Sequence, residues 1–188
     1  MFKTAVLFAE GFEEIEGLTI VDVLRRGDIQ VDIIGVQGSI VKGAHNIQIV
    51  TDIEFVDITS DNYKGIFLPG GSPGYINLGN NQQVVDFIKE MNAMDKIIGA
   101  ICASPAVLAK SGILTGKNAT IYPGLESEIQ KGGGTYVDKP VVMDGKIITS
   151  KGPASSILFA LTLIECLKDK KTADMVMKKL LADEIFKL

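Results

Sequence analysis

Short apolar runs alternate with segments of helical period along this chain, and that alternation leaves few architectures open. KTAVLF (3–8) has strand length. EEIEGLTIVDVLRRG (13–27) carries Ile15, Leu18, then Val21 or Asp22, then Leu24 or Arg25 at helical spacing, with Gly27 as its stop. QVDIIGV (30–36) is a second strand, and NIQIV (46–50) alternates as an antiparallel strand at the side of the sheet would. GIFLPGG (65–71) is a buried strand ended by Pro-Gly-Gly, followed by an amphipathic helix, QQVVDFIKEMNAM (82–94). KIIGAIC (96–102) then leads into a helix over 103–112. ATIY (119–122) is a strand, LESEIQKG a short helix, and VVMDGKIITS (141–150) a hairpin signalled by its Asp-Gly. PASSILFALTLIECLKD opens with proline where helices favour it, and TADMVMKKLLADEIF closes the chain as one more amphipathic helix. Such alternation predicts an α/β fold, a mostly parallel sheet with helices on both faces.

The length of 188 residues suits a single domain, 1–188, with a real core. Nothing in the chain reads as a repeat or a linker. The longest apolar runs, such as VDIIGV, are too short to cross a bilayer, so no membrane partner is expected. Net charge is −4 and no basic cluster exceeds KDKK, which argues against nucleic acid. MFKTAVLFAEGFEE reads as a first strand rather than a signal peptide, and with two cysteines a reducing cytoplasmic location is expected. A single histidine, His45, excludes a multi-histidine metal centre; no metal and no cofactor are expected.

In parallel sheets the functional crevice lies at the carboxyl ends of the strands. Three loops there stand out: AEGFEE, LPGGSPG and ICASP. Ala100-Ile101-Cys102-Ala103-Ser104 is small-x-nucleophile-x-small, the cysteine counterpart of a serine nucleophile elbow. Small neighbours are needed because the chain bends sharply there. Pro105 then starts a helix whose positive end faces the sulfur, so the expected thiol pKa lies well below the free value. The Ala103 N–H and one from the Gly70-Gly71 turn are placed to donate to an oxyanion. Cys166, inside an apolar helical repeat, reads as structural. For the partner of Cys102, His45 lies beside the edge strand, away from the first and central loops, and a solvated loop residue is an equal reading. Glu13 and Glu14 are explained by a helix N-terminus, whereas Glu16, one turn in, can point back to the crevice and share a proton with the sulfur.

AEGFEEIE, LPGG, AICASPAVLA and TSKGPASSILFALTLIE, in this order, resemble the ThiJ/PfpI superfamily in its DJ-one-like branch with its bacterial relatives. The resemblance implies a flavodoxin-like three-layer sandwich and a homodimer. It also implies Cys102 as nucleophile, Glu16 as carboxyl partner, and Gly71 and Ala103 as backbone donors. Arg26 matches an arginine that reaches the neighbouring subunit's pocket in the family, although the exposed end of an amphipathic helix explains it equally. This chain departs from the family at Tyr122, where relatives have histidine, and at His45, where relatives carry arginine. Tyr122 removes a basic partner of the cysteine, which argues against a protease and weakens a full glyoxalase assignment.

Three functions follow. The first is glyoxalase- or deglycase-type chemistry by Cys102 on small reactive carbonyls. The second is a peroxide sensor or redox-dependent chaperone in which Cys102 is oxidised to sulfinate. The third is an inert scaffold.

Overall fold

Every residue of β1 (Lys3–Phe8) after Lys3 is buried, because the strand is covered on both sides. The computed structural model describes residues 3–186. Ala5 and Leu7 point into one core, Val6 and Phe8 into the other. The chain continues through α1 (Glu14–Arg26), β2 (Val31–Gly35), β3 (Ile40–Lys42), β4 (Gln48–Val50), β5 (Ile53–Glu54) and β6 (Tyr63–Leu68). α2 (Gly74–Asn80), α3 (Gln82–Ala93), β7 (Ile97–Ile101) and α4 (Pro105–Lys110) follow. The remainder is β8 (Asn118–Ala119), α5 (Glu126–Lys131), β9 (Thr135–Tyr136), β10 (Val141–Asp144), β11 (Ile147–Ser150), α6 (Ser156–Leu167), α7 (Lys170–Lys179) and α8 (Ala182–Ile185).

Seven strands form one sheet in the order β10-β11-β7-β6-β1-β2-β5, parallel throughout except for the antiparallel edge β10. Leu78, Val84, Ile88, Leu108 and Ile129 bring α2, α3, α4 and α5 onto one face. Ile20, Leu24, Phe159, Leu163 and Val176 bring α1, α6 and α7 onto the other. The expected flavodoxin-like sandwich is therefore present. The chain leaves β1 toward β2 on one side and returns to β6 on the other. This reversal opens a crevice at the carboxyl ends of β1 and β6. No helix among the described residues is long and apolar enough to cross a membrane.

Besides the short strands β3, β5 and β9, which the sequence reading lacked, several elements differ from it. The 46–50 run does not join the main sheet; β4 pairs with β3 in a separate hairpin. The 119–122 strand shrinks to Asn118–Ala119. Beyond it, the Thr120 N–H is donated to Thr149 Oγ1 and the Tyr122 N–H to the Cys102 carbonyl, so no ladder continues. The last helix is split, because Leu181 enters the left-handed region at φ 56 between α7 and α8. α2 occupies a stretch that the sequence reading left without an element, directly after the LPGGSPG loop. The β10–β11 hairpin forms as expected, with Gly145 and Lys146 as its loop and Gly145 taking the positive φ of 66.

Candidate active site

Cys102 sits at the bend between β7 and α4 with φ 64, a conformation that costs a non-glycine residue about 1–3 kcal/mol. β11 and the segment after β8 hold it there. Its N–H donates to the Ser150 carbonyl at 2.9 Å, and its carbonyl accepts from the Tyr122 N–H at 2.8 Å. Two residues on, the buried Ser104 hydroxyl donates to the Pro69 carbonyl at 2.6 Å, which fastens the bend to the end of β6. Cys102 is left 9% exposed.

Glu16 comes to the same place from the first turn of α1. It is fully buried, its Oε2 accepts the Gly70 N–H at 2.7 Å, and its Oε1 is buried without a hydrogen-bond partner. Gly70 lies between the two functional groups. A Cβ on it would stand 2.6 Å from Cys102 Cβ, 2.8 Å from Glu16 Oε2 and 3.1 Å from Cys102 Sγ. Glycine is thus what lets sulfur and carboxyl converge. Gly71 follows at φ 94, where a Cβ would meet the Glu13 nitrogen at 2.3 Å. The Gly71 and Ala103 N–H groups both donate toward the Cys102 sulfur.

Burial raises the Glu16 carboxyl to about 7; hydrogen bonds from Gly70 and the Cys102 thiol oppose this, and the Glu13 charge adds to it. Burial, then the charge of Glu16 and its hydrogen bond, push the Cys102 thiol up to about 12, against the Gly71 and Ala103 N–H groups. For the thiol taken alone this direction is opposite to the expected depression. The sulfur is nearly closed off from water, and α4, at six residues, offers only a short dipole. The two groups form one acid pair. Burial and mutual repulsion disfavour ionising both groups, so the pair carries one negative charge before it carries two.

His45 does not lie away from the first loop. Its N–H donates to Glu14 Oε1 at 2.7 Å and its Nδ1 is 2.9 Å from Glu14 Oε2, with Glu13 Oε1 at 3.7 Å. The hydrogen bond to Glu14, then the charges of Glu13 and Glu14, raise its pKa. Its ion-pair partners are these two carboxylates rather than Cys102. Glu14 is more than a helix-end charge. It is buried, and burial pushes its pKa up, yet hydrogen bonds from the His45 ring and the backbone of the β3–β4 turn hold it below the usual range. Among the described residues, Glu13, Glu14 and His45 gather ligand-type atoms within 4.8 Å. Both Glu14 oxygens are already taken by His45 and Ile47, so the cluster closes on itself as an ion pair.

Arg26 is not brought to the crevice of its own chain. It lies ten residues along α1 from Glu16, about 15 Å of helix rise, and pairs with Asp22 at 2.7 Å. Tyr122 is adjacent to Cys102 through its main chain, with a half-exposed ring. Cys166 is half-buried with its sulfur 3.3 Å from Met143 Sδ, and burial, then Glu165, raise its pKa. Sequence reasoning missed the Ser104–Pro69 tie and the role of Gly70. The Pro-Gly-Gly break after β6 was the available signal for the second.

The model of the DJ-1/PfpI family matches residues 2–166. Protein dj-1beta of Drosophila melanogaster is 38% identical over 183 residues, covering 96% of this chain and 98% of that protein. A Caenorhabditis elegans relative named glutathione-independent glyoxalase DJR-1.2 is 34% identical over 171 residues, covering 91% of each. The crystal structure of Drosophila DJ-1beta superposes with a TM-score of 0.92 at 39% identity, covering 96% of this chain and 98% of that one. A structure described as Toxoplasma gondii DJ-1, oxidized, gives 0.91 at 34% identity with the same coverage. The sheet order, the cysteine bend and these likenesses agree, and the chain belongs to the DJ-1/PfpI family.

Proposed function

We propose that this chain is a cofactor-independent, cysteine-dependent enzyme of stress protection that converts small reactive dicarbonyls to hydroxy acids. The convergence of Cys102 Sγ and the buried Glu16 carboxyl around Gly70 carries the reading. Burial and the repulsion between the two groups leave the pair with a single negative charge once its first proton is lost. Two N–H groups favour that charge on sulfur, and one favours it on the carboxylate. The reactive form places the proton on Glu16. The sulfur adds to the aldehyde carbon, and Glu16 gives its proton to the carbonyl oxygen, forming a hemithioacetal. The Gly71 and Ala103 N–H groups steady the developing oxyanion. Glu16, now a carboxylate, removes the hydrogen on that carbon and returns it to the adjacent carbon through an enediol. Water cleaves the resulting thioester, which restores the thiol and releases the hydroxy acid. Atoms and electrons balance within substrate and water, so no cofactor takes part. The name of the nematode relative supports the assignment.

The chain acts as a homodimer, the assembly its resemblance implies. Exposed apolar side chains support this at α1 and the hairpin packed on its first turn: Ile15, Leu18, Ile40, Ile47 and Val50. Its free thiols suit a reducing compartment such as the cytoplasm. Redox sensing is the second reading. The same two N–H groups and a protonated Glu16 would hold a sulfinate on Cys102, and a relative has been solved in an oxidized form. Lactate formation from methylglyoxal separates the readings. It is expected in the parent and lost by at least about a thousandfold in Cys102→Ser. Activity surviving that change removes Cys102 from the mechanism. Two oxygens gained on the Cys102 peptide under mild peroxide, without turnover, would favour sensing.

A further inference from the structure

A second concavity, linked to Cys102 only through main-chain hydrogen bonds, has no part in the steps above. It has a volume of about 470 Å³ and is walled by Tyr122, Pro123, Pro140, Pro153, Leu158 and Phe186. Lys151 on its rim is turned onto Asp138, so the interior offers apolar surface with few polar partners. Two backbone ties connect this cavity to the nucleophile. The Tyr122 N–H holds the Cys102 carbonyl, and the Cys102 N–H holds the carbonyl of Ser150, two residues before Gly152, which also lines the cavity. Gly152 packs beside the Tyr122 ring, where even a Cβ would stand at ordinary contact distance, 3.4 Å. Cys102 is therefore flanked by the two segments that form the cavity.

Size and chemistry point to an occupant. The volume falls within the range of about 300–1,000 Å³ typical of small-molecule sites. Methylglyoxal carries one methyl group beyond its two carbonyls and would leave such a space nearly empty. A phenyl ring would use it, with the phenol of Tyr122 and the proline rings as apolar walls. Resting on the dicarbonyl reading, we propose that this cavity receives the apolar arm of the substrate, that aryl-substituted 2-oxoaldehydes are preferred, and that Tyr122 is a specificity-determining residue.

The test compares phenylglyoxal with methylglyoxal in the parent and in Ala154→Phe, which puts a ring into the cavity from an exposed wall position. The parent is expected to favour phenylglyoxal in kcat/KM by at least about tenfold. Ala154→Phe is expected to cancel that preference while keeping methylglyoxal turnover within about twofold of the parent. Leu158→Ala, which thins the wall, is expected to lower the preference severalfold. Equal kcat/KM for both compounds in the parent, or a preference that survives Ala154→Phe, overturns the inference and leaves the dicarbonyl reading standing. If neither compound is turned over, that reading fails, and phenylglyoxylate binding to Cys102→Ser decides the cavity. Saturable binding lost in the added Ala154→Phe supports the site; no saturable binding overturns it.

Discussion

At the scale of single residues, the structure is organised around a carboxyl group that is costly to ionise. Glu16 keeps its proton in the folded chain at pH values where the unfolded chain has lost it, because its pKa rises from 4.5 to about 7. Folding stability fully present below pH 4.5 is therefore lost as the pH rises through about 7, by about 3 kcal/mol. Glu16→Gln removes the titrating group. Denaturant unfolding of this variant between pH 4.5 and 7 is expected to lack that decline, and an equal decline in parent and variant would assign it to other groups. The position of Glu16, one helical turn beyond the first strand, was legible in AEGFEEIE, and Cys102 was legible from its small neighbours. The direction of the thiol shift was not. Local sequence shows a bend and a helix start, whereas burial of the sulfur is set by Gly70 and by β11, distant in sequence.

At the scale of elements, the β3–β4 hairpin shows how a short piece outside the main sheet is held. Glu14 anchors it through the backbone N–H groups of His45 and Ile47 and through the His45 ring. Glu14→Ala leaves those donors without their acceptor and is expected to cost about 1–3 kcal/mol. Amide exchange over residues 40–50 should then quicken selectively, and uniform protection across the hairpin would show that other contacts hold it. Neither β3 nor this anchor was legible in the sequence. A three-residue strand has too little period to register, and a glutamate at a helix start already has an adequate explanation in the dipole. By contrast, β1, β6 and β7 were clear because strands buried on both faces read as unbroken apolar runs. α2 was hidden by the glycines and proline around it, which read as turn.

At the scale of the whole molecule, the sheet order accounts for the site. The reversal between β1 and β6 brings together Glu16 on the first turn of α1, the Gly70 turn and the Cys102 bend. The alternation of strands and helices in the sequence already implies a crevice at the carboxyl ends of the strands. The exposed apolar face remains, and Val50, 74% exposed on β4, is its most open member. Light scattering on the parent is expected to give a dimer. Val50→Asp, which places a charge at that face, is expected to shift the chain to monomer with its circular dichroism unchanged. A parent that is monomeric at every concentration would contradict the dimer. Arg26 would then be only the exposed partner of Asp22.

The pH dependence of Cys102 alkylation, in the parent and in Glu16→Gln, tests the shared proton most directly. In the parent, reactivity should rise with a midpoint near 7, where the pair releases its first proton, and Glu16→Gln should move that midpoint upward. A parent thiol whose reactivity shows no rise near pH 7 would mean that the charge resides on Glu16 alone, and would contradict the proposed chemistry.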